Sequence, residues 1–217
     1  GSEMFIRDSD RLFTEDDFKD VENGVLKDGV PKQTFTAKVR PGDIKYVDLD
    51  KNGFIDTYDQ MAIGGTENPE IVYGFGVNLR WKELDFGAMF QGIGRTWRIL
   101  SSNIMPASNK GSMYNIFDNY QDRWTVDNQS QDVFYPRADY GPNANNSQKS
   151  TWWLRNMSFL RLKNLELGYS CPKKWLQGFV ISNARVFVRG TNLLTFSKFN
   201  LWDPELATGD GAKYPAM

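Results

Sequence analysis

Every second residue from Ile71 to Trp81 is apolar: Ile71, Tyr73, Phe75, Val77, Leu79 and Trp81, with Val72, Gly74, Gly76, Asn78 and Arg80 between them. After Lys82-Glu83 the alternation resumes, Leu84, Phe86, Ala88 and Phe90 against Asp85, Gly87, Met89 and Gln91. Side chains alternate across a strand, so this period specifies a β-hairpin with one oily face and one small or polar face. A helix would scatter the same residues around its circumference. Two environments accept the hairpin. In a sandwich the oily face is core; in an outer-membrane barrel it meets lipid, and Gly, Asn, Asp and Gln face a wet lumen.

Composition agrees with strands and long polar connections. Aromatics make up 14% of the 217 residues and Gly numbers 19, while the chain is hydrophilic on average. No apolar run reaches the roughly 18 residues of a transmembrane helix, but membrane strands need only about 9–11 alternating residues. The formal net charge of -1 argues against nucleic acid as a partner. His is absent and Cys171 is the single cysteine. That removes His-based acid–base chemistry, the usual zinc ligand, thiolate metal clusters and intrachain disulfides. Glu166 and Glu205 have no spacing that links them as a catalytic pair. We expect no enzyme activity and no catalytic residues.

A second feature is chemical. Asp48, Asp50, Asn52, Asp56 and Asp59 occupy positions 1, 3, 5, 9 and 12 of a twelve-residue loop, with Gly53 at position 6. That is the calcium-loop spacing of an EF-hand, with Asp in place of Glu at the end. Calcium takes about six to eight oxygen ligands, so a short loop must curl and aim alternate side chains inward. Gly53 suits the sharp turn, and Phe54 would contribute its backbone carbonyl. Ile55 is expected to point away and anchor the loop on an apolar neighbour. The expected ligands are Asp48, Asp50, Asn52, Phe54, Asp56 and Asp59. The expected ion is calcium, with magnesium as the alternative, in a loose site because a terminal Asp chelates less readily than Glu. The competing reading is an Asx turn that satisfies its own backbone without an ion. No pair of long helices flanks the loop, so the helix-opening switch of calcium sensors is not available to it.

The remaining segments are plainer. Gly1-Ser2 reads as a tag remnant. Residues 3–65 form a polar region, with a short helix expected from Thr14 to about Asn23 and a short strand at Ile44–Val47 entering the loop. Residues 66–217 carry the antiparallel strands, interrupted by a long loop at about 92–157. A short helix is expected in that loop at Met113–Tyr120, with a polar tract from Gly141 to Ser150. Its aromatics, among them Trp97, Tyr114, Trp124, Tyr135 and Trp153, are expected mainly to pack the loop on itself, with stacking on sugar rings as the other role. Phe159–Tyr169 is a third strand whose apolar phase shifts near Lys163-Asn164, which predicts a bulge. Ala184–Thr191 is a fourth, continued or ended by Asn192–Phe196.

The order of motifs resembles the SusC/RagA branch of TonB-dependent outer-membrane transporters. The carriers are Pro41-Gly42-Asp43-Ile44-Lys45-Tyr46, the Asp48–Asp59 loop, Tyr73-Gly74-Phe75, Asp122-Arg123-Trp124-Thr125, Phe159–Asn164 with Leu167-Gly168-Tyr169, Gly190–Phe196 and Asp203-Pro204-Glu205. The resemblance implies the C-terminal portion of a barrel: a partial transmembrane-type β-barrel with long extracellular loops and a few short helices. It further implies import of oligosaccharides or peptides across the outer membrane, a SusD-like surface lipoprotein as lid, and energy from the TonB complex through an N-terminal part. The contrasting hypothesis is a soluble calcium-stabilised glycan-binding or adhesive β-domain.

Overall fold

The computed structural model describes residues 4–100, 118–139, 141, 143–177, 181 and 183–206. It divides into two compact units, Gly1–Gly65 with Arg98–Arg155 and Leu206–Met217, and Thr66–Trp97 with Asn156–Glu205.

The second unit is an open four-stranded antiparallel sheet. Its strands are β1 (Ile71–Trp81), β2 (Leu84–Gly94), β3 (Phe159–Ser170) and β4 (Arg185–Ser197), in spatial order β4-β3-β2-β1. Lys82, at φ 53°, turns the hairpin between β1 and β2 in two residues. The register collects the alternating apolar residues on one face. Leu79 pairs with Phe86, Phe86 with Leu167, and Leu167 with Val188. Phe75, Phe90, Leu162 and Leu194 form a second such row, in which Phe75 stacks on Phe90 with ring centroids 5.1 Å apart. This apolar face is open: Leu79 is 60% exposed and Val188 74%. The expected alternation of the hairpin, with one oily face, thus extends across all four strands.

The opposite face carries ion-paired charges, with Val72, Met89 and Phe187 among them. Arg185 bridges Asp85 and Glu166, the latter at 2.6 Å, and Arg189 Nε donates to Glu166 at 2.7 Å. Asp85 lies on β2 and Arg185 on β4, so their bridge crosses β3, and it does so at Gly168. A Cβ there would collide with both side chains. At the end of this face, Arg161 is clasped by Asp203 and by Glu205 at 2.5 Å, and Lys163 reaches Glu205 at 2.7 Å.

The predicted bulge is present. Met89 pairs with Asn164 and Phe90 with Leu162, leaving Lys163 as the extra residue on β3. On the other side two residues of β4, Asn192 and Leu193, stand against Lys163, with Asn192 at φ 52°. Leu160 and Leu162 therefore share a face with Leu165 and Leu167 despite their opposite parity. β2 runs on to Gly94, three residues into the expected loop, and β4 to Ser197, because each still has a partner strand there.

The first unit is built from short pairs and buried polar contacts. Ser9–Leu12 pairs with Ile44–Tyr46, Phe5–Ile6 with Met61–Ala62, and Phe18–Asp20 with Val25–Leu26. Phe13, Phe18 and Val39 form an apolar core with Leu26 and Val30 against it. The helix expected after Thr14 is one 3-10 turn, Glu15–Asp17. The Asp17 carboxylate caps the Thr14 N–H at 2.8 Å. Phe18 is then drawn, extended, into the core beside Phe13 and starts a hairpin instead of a second turn.

In the described part of the long excursion the aromatics pack on one another, as expected: the Tyr135 ring centroid lies 4.6 Å from that of Phe134 and 6.3 Å from that of Trp153, and Trp124, Tyr135 and Trp153 are buried. Asn143, Asn145, Asn146 and Ser150 of its polar tract are buried too. The Asp43 carboxylate accepts from Arg137 Nε at 3.1 Å, Asn143 Nδ2 at 3.0 Å, Asn146 Nδ2 at 2.9 Å and the Arg40 N–H at 2.8 Å. Asn146 Oδ1 accepts the Ile44 N–H at 2.9 Å, and Asn145 Nδ2 donates to the Ile44 carbonyl at 2.8 Å. These side chains satisfy a strand that short partners leave half-paired. Of the helix expected at Met113–Tyr120, residues 113–117 lie outside the described residues, and Asp118–Gln121 is a 3-10 turn.

Candidate metal centre

The Asp48–Asp59 loop curls as the spacing requires. Gly53 sits at φ 84° and Lys51 at φ 61°, so two left-handed residues reverse the chain within the turn. Its carboxylates first organise the loop's own amides. Asp48 Oδ2 accepts the Gly53 N–H at 2.8 Å, Asp50 Oδ1 the Asn52 N–H at 3.1 Å, and Asn52 Oδ1 the Phe54 N–H at 2.7 Å. Asp59 closes the loop on itself: one oxygen accepts the Leu49 N–H at 2.7 Å and the other the Asp56 N–H at 2.8 Å.

Asp48, Asp50 and Asp59 converge, each offering a carboxylate oxygen within 4.8 Å of the others'. Asp59 is fully buried. Phe54–Ile55 runs parallel to Lys32–Gln33, with the Gly53 carbonyl accepting from Lys32 and the Ile55 carbonyl from Thr34. Carbonyls alternate along a strand, so that of Phe54 points away from Lys32–Gln33. Ile55 is wholly buried and anchors the loop as anticipated. Asp56 Oδ1 is engaged by the Tyr58 N–H at 2.7 Å, in keeping with a ninth position that ligates through water. Three like charges this close oppose one another. The Asp50 carboxyl is held above its usual value, by desolvation first and then by the Asp48 and Asp59 charges, against the pull of the Asn52 N–H. The donor set, all hard oxygen with surplus negative charge, fits calcium or magnesium and not a soft transition metal.

Sequence reasoning missed the polar residues that support this frame. Nothing local marks Asp43, Asn143, Asn145 and Asn146 as a buried network. The four-residue spacing of Arg185 and Arg189 on one face of β4 was a usable sign of the ion-paired face.

No family model matches the chain. TonB-dependent receptor P26 of Formosa agariphila is 33% identical over 166 residues, covering 76% of this chain. TonB-dependent receptor SusC of Bacteroides thetaiotaomicron is 24% identical over 192 residues, covering 86%. The solved RagAB peptide importer in its 'open-open' state superposes over 96% of the chain with a TM-score of 0.64 and 26% identity. The chain belongs to the SusC/RagA family of TonB-dependent receptors. It spans 16% and 18% of the two curated receptors and 20% of the solved chain.

The SusC/RagA-like motifs acquire physical reasons in this structure. In Pro41-Gly42-Asp43, Gly42 turns at φ 86° and Asp43 is the buried hub. In Asp122-Arg123-Trp124, the Trp124 N–H bonds the Tyr135 carbonyl at 3.0 Å and the indole is buried. Asp203-Pro204-Glu205 supplies both acids that clasp Arg161. Asn192, within Gly190–Phe196, is the bulge.

Proposed function

We propose that this chain is part of the wall and loop side of a TonB-dependent outer-membrane receptor, its C-terminal portion, which imports oligosaccharides or peptides together with a SusD-like lipoprotein. The observation that carries the reading is the sheet with one wholly apolar, open face and one ion-paired face. That division suits lipid on one side and water on the other. The RagAB relative is named a peptide importer, which supports a peptide as one substrate class. Coupling to the TonB complex would run through parts of the receptor outside this chain. The test is uptake of labelled peptides and oligosaccharides by cells carrying the complete receptor. Uptake that disappears without TonB and falls without the lipoprotein supports the reading. Receptor recovered as a soluble monomer, with no detergent requirement, overturns it and favours the soluble glycan-binding β-domain, whose core the open apolar face does not supply.

We further propose that the Asp48–Asp59 loop binds calcium, with magnesium the weaker ligand. The ion would supply positive charge that neutralises the converged carboxylates and pins the loop as a structural staple. Calorimetry is the check. Asp48→Ala and Asp50→Ala should each abolish most of the calcium binding heat; unchanged heats refute the site.

A further inference from the structure

Behind the acidic loop lies a buried cation. Arg7 is 6% exposed, and its Nη2 donates to the Asp56 carbonyl at 3.2 Å. The guanidinium carbon stands 4.4 Å from the centroid of the Phe35 ring. Its Nε is buried with no hydrogen-bond partner, and among the described residues Arg7 has no direct ion pair. A guanidinium so stripped of water is costly unless nearby negative charge offsets the loss. Burial pulls Arg7 below its ordinary value, and Tyr46, Asp59 and Asp56 oppose that pull. Two of those three belong to the acidic loop.

The backbone of Arg7 is fastened elsewhere. Its N–H donates to the Lys149 carbonyl at 3.1 Å, and its carbonyl accepts from the Thr151 N–H at 2.9 Å, a parallel bridge opposite Ser150. One residue thus holds the loop by its side chain and the 149–151 stretch by its main chain.

We propose that Arg7 is the built-in counter-ion of the Asp48–Asp59 loop, keeping it closed when no cation is bound and linking its state to Lys149–Thr151. The proposal rests on the loop being a cation site. The crowded carboxylates need positive charge in either state. The ion supplies it at the centre when bound, and Arg7 supplies it from behind when the ion is gone. Arg7 is a positioning residue here, since it reaches the loop through a backbone carbonyl and through its field.

Amide hydrogen exchange on the full chain, in EDTA and in calcium, tests this. In EDTA, Arg7→Met should speed exchange at Asn52, Gly53, Asp56 and Thr151 about tenfold. Saturating calcium should return the loop amides to within about threefold of wild type. Arg7→Lys, which keeps the charge, should stay within about threefold in EDTA. Arg7→Met combined with Asp50→Asn should regain protection at Gly53 and Asp56, whose amides are held by Asp48 and Asp59, because removing one crowded carboxylate substitutes for the missing cation. This double variant also decides the matter if Arg7→Met alone does not fold. Unchanged exchange in Arg7→Met, equal damage in Arg7→Lys, or no recovery in the double variant overturns the counter-ion role in favour of packing. If calcium alters no loop exchange in wild type, the cation site is refuted, and the EDTA comparison still judges Arg7.

Discussion

Asp43→Ala isolates the buried polar frame of the first unit. The carboxylate is 1% exposed and Arg137 has a side-chain exposure of 16%, so solvent screens their 3.1 Å ion pair little. Burial draws the Arg137 guanidinium down, yet Asp43 and Asp139 outweigh it and raise its value. Truncation would remove the acceptor for Arg137, Asn143 and Asn146 at once. Breaking a buried pair from one side costs about 3–5 kcal/mol, because the surviving charge is left uncompensated. Arg137 keeps Asp139 at 2.7 Å, which offsets part of that loss. Asn146 is left as an unsatisfied donor at about 1 kcal/mol, and Asn143 adds less because its Nδ2 also donates to Asp139 at 3.3 Å. The expected destabilisation is roughly 3–5 kcal/mol, and roughly half that for Asp43→Asn, which keeps one acceptor oxygen. Urea unfolding followed by tryptophan emission reads it, because Trp153 is buried and its Nε1 donates to the Asn146 carbonyl at 2.8 Å within the same frame. A loss below about 1 kcal/mol for Asp43→Ala would show that the network is bypassed by water, and the argument from buried acceptors would fail.

Val77→Arg, on the apolar face at mid-strand, should cost about 2–4 kcal/mol in folding into bilayers, whereas Asn78→Arg on the polar face should cost little; equal costs would refute the assignment of faces. Gly168→Val should sever the Asp85–Arg185 bridge and lower the yield of folded sheet, while Gly94→Ala, with only Ile71 near it, should not. The Asp17 carboxyl is pushed up by burial, but the Lys45 ammonium and the Thr14 donors outweigh this and hold it below its ordinary 3.8. Its stabilising share is therefore complete above that value and lost as pH falls through the depressed folded value, and Lys45→Met should flatten acid unfolding in that window.

The strands were legible because alternation is a local signal. Even the bulge could be placed, since Leu160 and Leu162 change parity against Leu165 and Leu167 within one short run. The curl of the Asp48–Asp59 loop was legible for the same reason: its twelve positions are contiguous. The helix expected after Thr14 failed because its cap is real but Phe18 has a better use in the core than in a second turn. The Asp43 network escaped notice because its partners lie about 100 residues away, at Asn143 and Asn146. Nothing in an Asn-rich stretch distinguishes a solvated loop from side chains that complete another strand's hydrogen bonds. Arg7 was equally silent, its neighbours being set by tertiary packing.

Gly168 solves a problem that the alternation on either side of it leaves open. Sliding β3 by one residue would turn every leucine to the wrong face, so hydrophobicity forbids that error. Sliding it by two keeps each leucine on its own face and is invisible to that rule. At Gly168 the strand carries a notch one residue wide, through which a charged bar from β2 to β4 passes. Two residues away in either direction stand Glu166 and Ser170, whose side chains would block the bar. The notch therefore separates the native alignment from its nearest look-alikes, as a keyway fixes a shaft that is otherwise free to seat at any even step.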